Sequence, residues 1–237
     1  MTPNGSLSIV VPAYHERVRI AGTIERLAAH FSPRFALEVI VVDDGSRDGT
    51  AEAVAAQSRR WPVVRLLRLE RNCGKGAAVR RGMLEASGAI RCFCDADLAT
   101  PVEDMERVVR AVEAGADVAI ASRALAESTV VASHGVRRAV LSRMFNEVVR
   151  RGLGLPFRDT QCGCKAFRGP VAQEVFERLR TPGFVFDVEL LLIARRLGRT
   201  ITEVPVRFEN SSLSTVRLMA HAGSICRDLV RLLWTRC

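Results

Sequence analysis

The chain has 237 residues and a formal net charge of +9, with 48% hydrophobic and 26% charged residues. This composition is typical of a globular protein and excludes intrinsic disorder, which requires low hydrophobicity. A chain of this length buries about 70% of its unfolded surface, so its core needs no disulfides. The first seven residues lack the basic and apolar regions of a signal peptide, and we therefore expect a cytoplasmic protein whose seven cysteines are reduced.

The positive charge is carried almost entirely by arginine, since Lys75 and Lys165 are the two lysines of the chain. Such a charge fits nucleic acid, an anionic lipid surface or a phosphorylated small molecule. Aromatic residues make up 5% of the chain, too few for base-stacking platforms, so we expect no nucleic-acid partner. Stretches of 18 apolar residues without charge do not occur, so we predict no membrane-spanning helix.

Strands and helices are predicted to alternate through the first half of the chain. The predicted strands are Leu7–Val11, Leu37–Val42, Val63–Leu69, Ala89–Cys94 and Val118–Ala121. The predicted helices are Glu16–His30, Thr50–Arg59, Lys75–Ala86 and Val102–Ala114. This alternation predicts an α/β fold with a twisted, mostly parallel sheet flanked by helices.

The second half is less regular. Its predicted helices are Val136–Arg151, Val171–Leu179, Phe186–Leu197 and a C-terminal amphipathic helix, Ser214–Arg236. Its predicted strands are Thr160–Phe167 and Ile201–Phe208, and Pro205 inside the latter indicates a sheet edge or a bulge. Because no Pro-, Gly- or Ser-rich linker divides the chain, we predict one domain with halves at 1–122 and 123–237.

The cysteines include two C-x-C pairs, Cys92/Cys94 and Cys162/Cys164. Four thiolates can bind zinc, but zinc sites usually have C-x-x-C spacing. On a strand, residues i and i+2 share a face, so we favour small apolar packing for both pairs.

Polar residues follow the predicted strands of the first half. They are Tyr14, His15 and Glu16; Asp43 and Asp44; Arg71 and Asn72; Asp95 and Asp97; and Ser122 and Arg123. Ligands of open α/β sheets bind beyond the carboxyl ends of the strands. Turn preference alone explains any single cluster. The five clusters together favour a binding site at this edge.

Two motifs at this edge carry chemistry. Asp95 and Asp97 form a D-x-D pair that can share a hard divalent cation, Mg²⁺ or Mn²⁺, which would neutralise a departing diphosphate. Lys75 lies between Gly74 and Gly76 at a helix start, where backbone amides attract anions. Neither a Walker loop nor a G-x-G-x-x-G turn is present in the sequence.

At these residues the sequence resembles a known family. The runs SIVVPAYHE, EVIVVDDGSRDGT, NCGKGAAVRRGM and CDADLATP resemble inverting nucleotide-sugar glycosyltransferases of the GT-A fold, family 2. The runs FRDTQCGCKAF, GFVFDVELLLIARRLG and ITEVPVRF are similar to dolichyl-phosphate β-glucosyltransferases and prokaryotic polyprenyl-phosphate glycosyltransferases. The resemblance implies transfer of a hexose, glucose foremost, from a UDP-sugar to a polyprenyl or dolichyl phosphate. The alternative is a soluble or glycan hydroxyl acceptor.

The resemblance also implies roles for individual residues. Residues 1–122 would form the nucleotide-sugar half and residues 123–237 the acceptor half. The nucleotide-sugar would contact Pro12, Tyr14, Glu16, Asp43, Asp44, Lys75, Asp95 and Ala96, and a Mg²⁺ or Mn²⁺ cofactor would bind Asp95 and Asp97. One of the two adjacent carboxylates, Asp43 or Asp44, would accept the N–H of the base.

Asp159 and Asp187 compete for the catalytic role. In relatives that glycosylate hydroxyls, an acid at the Asp187 position acts as general base, because the hydroxyl proton must leave. A lipid phosphate has a second pKa of about 6, so it needs no base at pH 7. For such an acceptor, cations near the phosphate would matter more than a base. Asp159 or Asp187 would then orient neighbouring groups instead of removing a proton. The candidate cations for the acceptor phosphate are Arg123, Arg137, Arg138 and Lys165. The alternative for Asp187 is a helix N-cap.

The C-terminal helix is predicted to be amphipathic. One stripe contains Leu218, Ala222, Ile225, Leu229 and Leu232, and the other contains Arg217, His221, Ser224, Asp228 and Arg231. Such a helix either packs on the sheet or lies in a lipid interface. The second interpretation predicts peripheral contact with the anionic inner face of the cell membrane, assisted by the basic helix Val136–Arg151.

Overall fold

The computed structural model describes residues 5–131, 136–209 and 218–234, and within these ranges it does not describe the side chains of 136–144 and 218–222. The strands are β1 (Ser6–Ala13), β2 (Ala36–Asp43), β3 (Val64–Arg68), β4 (Ile90–Phe93), β5 (Val118–Ser122), β6 (Thr129–Val130), β7 (Lys165–Arg168), β8 (Ile201–Pro205) and β9 (Arg207–Phe208). The helices are α1 (Ile20–Phe31), α2 (Thr50–Arg60), α3 (Lys75–Glu85), α4 (Val102–Glu113), α5 (Val136–Leu153), α6 (Gly169–Arg178), α7 (Phe186–Arg196) and α8 (Leu218–Trp234).

Seven strands form one sheet in the order β3-β2-β1-β4-β7-β5-β8. The pairs β3–β2, β2–β1, β1–β4 and β5–β8 are parallel, and β7 alone among the seven is antiparallel to its neighbours, β4 and β5. The predicted mostly parallel sheet is therefore confirmed. Because β7 comes from the second half of the chain and lies between two strands of the first, both halves share one sheet.

Alternation along each strand divides the core into two layers. On one face, Ile9 and Val39 pack against α1, α2 and α4. On the other, Val10 and Ile40 pack against α3, α6 and α7, and parts of α5 and α8 join this layer. Cys92, Cys94, Cys162 and Cys164 are free, buried and part of the first layer, so the predicted role of these cysteines in apolar packing is confirmed.

Some element boundaries differ from the prediction. The helix predicted from Glu16 begins at Ile20. The residues before Ile20 form a turn, in which the Glu16 carbonyl accepts hydrogen bonds from the amides of Arg19 and Ile20. The strand predicted from Thr160 begins at Lys165, since the Asp159 carboxylate accepts the Gln161 amide and turns the chain there. Residues 214–217 and 235–236 of the predicted C-terminal helix lie outside the described residues.

The strand predicted as Ile201–Phe208 is divided into β8 and β9. Pro205 ends β8, which is the edge strand of the sheet, as the proline indicated. Beyond Val206 the chain leaves the large sheet, and β9 pairs with β6, a short strand that the sequence pattern did not predict.

Candidate active site

The carboxyl ends of β1, β2, β4 and β5 lie at one edge of the sheet, since these strands run in the same direction. β7 runs the other way, so its first residue, Lys165, lies at this edge too. The sheet therefore brings together residues from both halves of the chain. They are Tyr14, Glu16, Asp43, Asp44, Asp95, Asp97, Arg123 and Lys165.

The charges of three carboxylates, Glu16, Asp95 and Asp97, interact at the centre of this edge. Burial raises the pKa of Asp97 above its usual value, and the neighbouring Asp95 carboxylate raises it further. Burial also raises the pKa of Glu16, against the opposing effect of Arg19, and both Asp97 and Asp95 add to the increase. Arg19 Nη2 donates to Glu16 Oε1 over 3.1 Å. The repulsion between these carboxylates makes the centre attractive to a further cation.

Lys75 is the second cation at this centre. Its Nζ lies 2.5 Å from Asp95 Oδ1, and its side chain is 21% exposed. Burial opposes protonation of Lys75, but Asp95 and Asp187 raise its pKa above the usual value, so the ammonium is charged at neutral pH. Nζ also lies 6.0 Å from the centre of the Phe186 ring. Lys75 thus lies between the D-x-D motif and α7.

The glycine-flanked loop before α3 differs from the expected anion cradle. The amides of Cys73 and Gly74 donate to the Asp44 carboxylate over 2.7 and 2.9 Å. A Cβ at Gly74 or Gly76 would lie 2.5 Å from the carbonyl oxygen of Pro182 or Thr181, respectively. The anion at these amides is therefore Asp44 itself, and the glycines allow α3 to approach the loop 181–183.

The two adjacent carboxylates after β2 have different partners. Both oxygens of Asp44 accept the loop amides just described, and burial raises the pKa of Asp44 despite these donors. Asp43 Oδ1 accepts the Ser46 amide over 3.0 Å, whereas its buried Oδ2 has no hydrogen-bond partner and lies 3.4 Å from Arg68 Nε. Asp43 thus keeps one buried carboxylate oxygen that accepts no hydrogen bond within the described residues.

A cavity of about 410 Å³ opens beside Arg68. It is lined by Gly45, Ser46, Arg47, Arg68, Leu69 and Glu70. None of the predicted donor-binding side chains lines it. Among the other predicted donor residues, Tyr14 is 42% exposed and stacks on His15, while Pro12 is half-buried and Ala96 is buried.

Asp159 is fully engaged by Arg123. The Arg123 Nε and Nη2 atoms donate to the two carboxylate oxygens over 2.6 and 2.9 Å, and its amide donates over 3.0 Å. Burial favours the neutral acid, but the Arg123 guanidinium holds the pKa of Asp159 below its usual value. Arg123 also lies 4.9 Å from the Phe208 ring centre. Asp159 is therefore placed to orient Arg123.

Lys165 lies in a different environment from the one expected. We expected it to contact the acceptor phosphate, but its side chain is fully buried and its Nζ donates to Asp187 Oδ1 over 2.5 Å and to the Cys162 carbonyl over 2.7 Å. The reason is register, because Lys165 lies opposite Phe93 and Ile120 in the sheet and faces the α7 layer. Lys165 thus binds Asp187 instead of reaching the solvent.

Asp187 lies in the first turn of α7. The N-cap of this helix is Val185, which makes no side-chain cap hydrogen bond, so the alternative of an Asp187 N-cap is wrong. Burial raises the pKa of Asp187, while Lys165 and Lys75 oppose the increase. The structure therefore shows Asp187 as the acid of a buried ion pair.

Two residues at the site were not predicted. Arg19 follows Glu16 at i+3, a spacing typical of an ion pair within a helical turn. A Cβ on Gly163 would lie 2.0 Å from Asp95 Oδ2, so this glycine lets the chain pass beside the D-x-D motif. In the sequence, the signal for this close approach was the position of Gly163 within the Cys162/Cys164 pair. Arg137 and Arg138 lie in α5, where their side chains are outside the described residues.

The described part of the predicted apolar stripe of α8 faces the protein. Ile225, Leu229 and Leu232 belong to the second core layer, and Gly152 of α5 approaches Leu233. Its exposed face carries Arg227, Val230, Arg231 and Trp234. Over the described parts of the chain, none of the helices has the length and apolar character needed to cross a bilayer.

With this geometry established, similarity to known proteins assigns the family. The model of Glycosyl transferase family 2 matches residues 8–176. The chain belongs to glycosyl transferase family 2. Its relatives in this family include the dolichyl-phosphate beta-glucosyltransferase of Drosophila melanogaster, which is 35% identical over 99% of this chain and 76% of its own length. The counterpart in Dictyostelium discoideum is 33% identical over 95% of this chain and 73% of its own length.

A solved structure confirms the fold of this glycosyltransferase. Glucosyl-3-phosphoglycerate synthase from Mycobacterium tuberculosis, solved with Mn²⁺, UDP and glucosyl-3-phosphoglycerate, matches it with a TM-score of 0.73 over 99% of this chain and 80% of the other. At 22% sequence identity this likeness shows a shared fold. The predicted GT-A, Rossmann-like fold is thereby confirmed, while the family model and the relatives confirm the family 2 resemblance.

The Arg123–Asp159 pair generates a stability prediction. We expect Asp159→Asn to lower the free energy of unfolding at pH 7 by about 3 kcal/mol, because it leaves Arg123 without its counter-charge. The folded-state pKa of Asp159 is lowered, so the stabilisation exists above the unfolded pKa of about 3.9 and is lost as the pH falls through the folded pKa. Urea unfolding between pH 3 and pH 8 measures this.

The difference between wild type and Asp159→Asn should stay constant above about pH 5 and shrink below about pH 4. Glu147→Gln is the control, because Glu147 pairs with Arg150 at an exposed site and should leave stability nearly unchanged. A wild-type advantage that does not shrink as the pH falls below 4 would contradict the ion-pair account.

Proposed function

We propose that this enzyme transfers glucose from UDP-glucose to a polyprenyl or dolichyl phosphate, with inversion at the anomeric carbon. The proposal is supported by relatives named dolichyl-phosphate beta-glucosyltransferase over nearly the whole chain. The observation that carries the choice of acceptor is the buried Lys165–Asp187 pair. It occupies the position where a family member acting on a hydroxyl needs a free base.

The donor half supplies the nucleotide contacts in this proposal. We assign the N–H of the uracil to Asp43, since its Oδ2 accepts no hydrogen bond from the described part of the protein and has only the longer ion pair with Arg68. Asp44 acts indirectly, by binding the amides before α3 and so fixing the backbone that carries Lys75. Tyr14 offers an exposed ring at the same edge. In this proposal the remaining contacts to the donor come from Pro12, Glu16, Asp95 and Ala96.

A divalent cation fits the D-x-D motif. The nearby donors are carboxylate oxygens, which Mg²⁺ and Mn²⁺ prefer. Burial raises the pKa of both Asp97 and Glu16, and the repulsion between the carboxylates adds to the increase. The described residues contain no cluster of three metal-ligating side chains, so diphosphate oxygens and water would complete the coordination. We propose that Asp95 and Asp97 hold the ion. Bound there, it neutralises the negative charge of the departing UDP.

Inversion requires the acceptor oxygen to attack the anomeric carbon opposite the leaving UDP. A phosphate acceptor is mostly dianionic at pH 7 and has no proton to lose, whereas a hydroxyl must transfer one to a base. Asp187 is poorly suited to be that base, because Lys165 donates to its Oδ1 and both groups are buried. Asp187 and Lys165 are better suited to fix the start of α7 beside the reacting groups.

The acceptor phosphate then needs cations to approach an anionic donor. Arg123 is the best placed of the candidates, since its side chain is 25% exposed and Asp159 fixes its orientation. Arg137 and Arg138 remain candidates by sequence, whereas Lys165 acts through Asp187. Charge-assisted hydrogen bonds to the phosphate would offset the repulsion between acceptor and donor.

We also propose peripheral contact with an anionic membrane through α8. Its exposed face combines Arg227 and Arg231 with Val230 and Trp234, and Trp234 is 81% exposed. Tryptophan and arginine suit the lipid interface, where an aromatic ring and anionic headgroups meet. The surface that would meet lipid is therefore opposite to the apolar stripe expected from the sequence.

The acceptor class can be tested directly. With UDP-glucose and Mn²⁺, we expect a short-chain prenyl phosphate to stimulate UDP release and the matching prenyl alcohol to leave it at the background rate. The two acceptors differ by the phosphate, so they separate anion recognition from chain recognition. Equal stimulation by the alcohol, or by a free sugar hydroxyl, would contradict a phosphate acceptor.

Substitution of Asp187 tests its role. We expect Asp187→Asn and Lys165→Met each to reduce kcat/KM about 10- to 100-fold, with the double variant no worse than either single variant because the pair acts as a unit. The slope of the pH profile should match that of the wild type. Glu174→Gln, which breaks the ion pair with Arg199, is the control and should retain activity.

A different outcome would identify Asp187 as a general base. That outcome is a loss of about 10⁴-fold for Asp187→Asn alone at neutral pH, which shrinks at low pH because the wild-type base is itself protonated there.

Vesicle sedimentation tests the membrane surface. The protein should bind phosphatidylglycerol-containing vesicles at low salt and be released by added salt. Arg227→Glu should weaken binding about tenfold, since each arginine near the surface contributes about 1 kcal/mol. Arg59→Glu is the control, because Arg59 is exposed on α2 at the opposite face of the sheet. No binding at low salt would exclude this contact.

A further inference from the structure

Lys75 is an unusual choice of cation in this chain. The sequence contains 35 lysines and arginines, of which Lys75 and Lys165 are the two lysines. Nζ of Lys75 lies 2.5 Å from Asp95 Oδ1, and these side chains are 21% and 36% exposed. Asp95 is also one of the two carboxylates that the proposed function assigns to the metal. Two cations, one internal and one from solution, therefore compete for the same carboxylate.

We propose that Lys75 is an internal counter-ion that occupies Asp95 in the donor-free enzyme and moves to the donor diphosphate when the metal binds. The inference rests on the proposed function and adds a consequence to it. Metal alone should bind weakly, and metal and UDP-sugar should bind as a unit. Lys75 would thus prevent a bare metal ion from occupying the site without substrate.

Electrostatics explains the expected coupling. A divalent cation on Asp95 and Asp97 would lie within a few ångströms of the Lys75 ammonium, and in a half-buried site this repulsion is only partly screened. The UDP-sugar diphosphate brings negative charge that attracts both cations. When metal binds alone, Lys75 must leave Asp95 without gaining a new partner, which is unfavourable. When the donor is present, its diphosphate attracts Lys75 and compensates for the lost ion pair.

The local structure allows the side chain to move while the backbone stays in place. Asp44 binds the amides of Cys73 and Gly74, and Gly74 and Gly76 pack closely on the loop 181–183. The backbone on both sides of Lys75 is thereby fixed. The lysine side chain carries a compact charge on a flexible stem, which can change its partner without moving α3.

The other cation of the centre, Arg19, has a different arrangement. Arg19 binds Glu16 through its planar guanidinium, in a pair within one turn of chain. Removal of Lys75 should therefore leave the Glu16–Arg19 pair intact while freeing Asp95. This arrangement makes Lys75 the residue whose loss should change the affinity for metal alone.

Mn²⁺ binding to the 237-residue chain, measured by electron paramagnetic resonance of the free ion, tests the inference. Without nucleotide, we expect Lys75→Met to bind Mn²⁺ about tenfold more tightly than the wild type, because one adjacent positive charge is gone. With saturating Mn²⁺, the same variant should bind UDP about tenfold more weakly, because the diphosphate has lost a cation. Lys75→Arg keeps the charge and should restore weak binding of metal alone.

The opposite signs of the two changes identify the exchange. If Lys75→Met binds Mn²⁺ alone no more tightly than the wild type, Lys75 merely supports Asp95 and the inference is overturned. Lys75→Gln provides the same comparison should the methionine variant fail to fold. If wild-type protein with Mn²⁺ binds neither UDP nor UDP-glucose, the proposed function itself fails, and the inference fails with it.

Discussion

The repulsion between carboxylates at one edge of the sheet is the constraint on which the rest of the site depends. Parallel strands bring Glu16, Asp43, Asp44, Asp95 and Asp97 to the same edge, and burial makes their charges costly. The chain compensates them individually with Lys75, Arg19 and the amides before α3. Burial raises the pKa of Asp97 and of Glu16, and the neighbouring carboxylates raise both further. A site with such an excess of carboxylate is suited to a divalent cation.

The acceptor half solves the same problem in a different way. Asp159 and Asp187 are buried, and each has one dedicated cation, Arg123 or Lys165. The negative charges of Asp159 and Asp187 are therefore neutralised by partners within the protein. The carboxylates of the donor half are neutralised only in part. This difference supports the division of labour in the proposed function, in which metal and nucleotide bind on one side and the other side presents oriented cations to a phosphate.

The two sides are connected through α3 and α7. A Cβ on Gly76 would lie 2.7 Å from the Phe186 Cβ, so the helix that carries Lys75 touches the helix that carries Asp187. Glu189 adds to this contact by accepting the amides of Arg180 and Thr181, which fixes the loop between α6 and α7. Because Gly74 and Gly76 pack closely on the loop 181–183 and on Phe186, the backbone fixes the position of Lys75 relative to Asp187.

Much of the fold and of the donor edge could be predicted from the sequence. Apolar runs such as Leu37–Val42 have the length and pattern of buried parallel strands, and their carboxyl ends place Asp43 and Asp95 at one edge. The antiparallel insertion of β7 could not be predicted, because it depends on long-range pairing with β4 and β5. The burial of Lys165 follows from that insertion, so its environment could not be predicted for the same reason.

Local hydrogen bonding accounts for the other differences. The glycines around Lys75 suggested an anion site, and the structure shows that Asp44 is the anion at the amides before α3. A carboxylate 29 residues away in sequence cannot be assigned to those amides from local patterns. Likewise, the exposed face of α8 depends on which side packs against α5 and the core. The amphipathic pattern identified two faces without deciding which is buried.

Calorimetry of UDP-glucose binding tests the central claim most directly. The account predicts measurable binding to the wild type in the presence of Mn²⁺, with a large loss of affinity when the metal is omitted or when Asp97 is replaced in Asp97→Asn. Wild-type protein that gives no heat with UDP-glucose and Mn²⁺, or an Asp97→Asn variant with unchanged affinity, would contradict it.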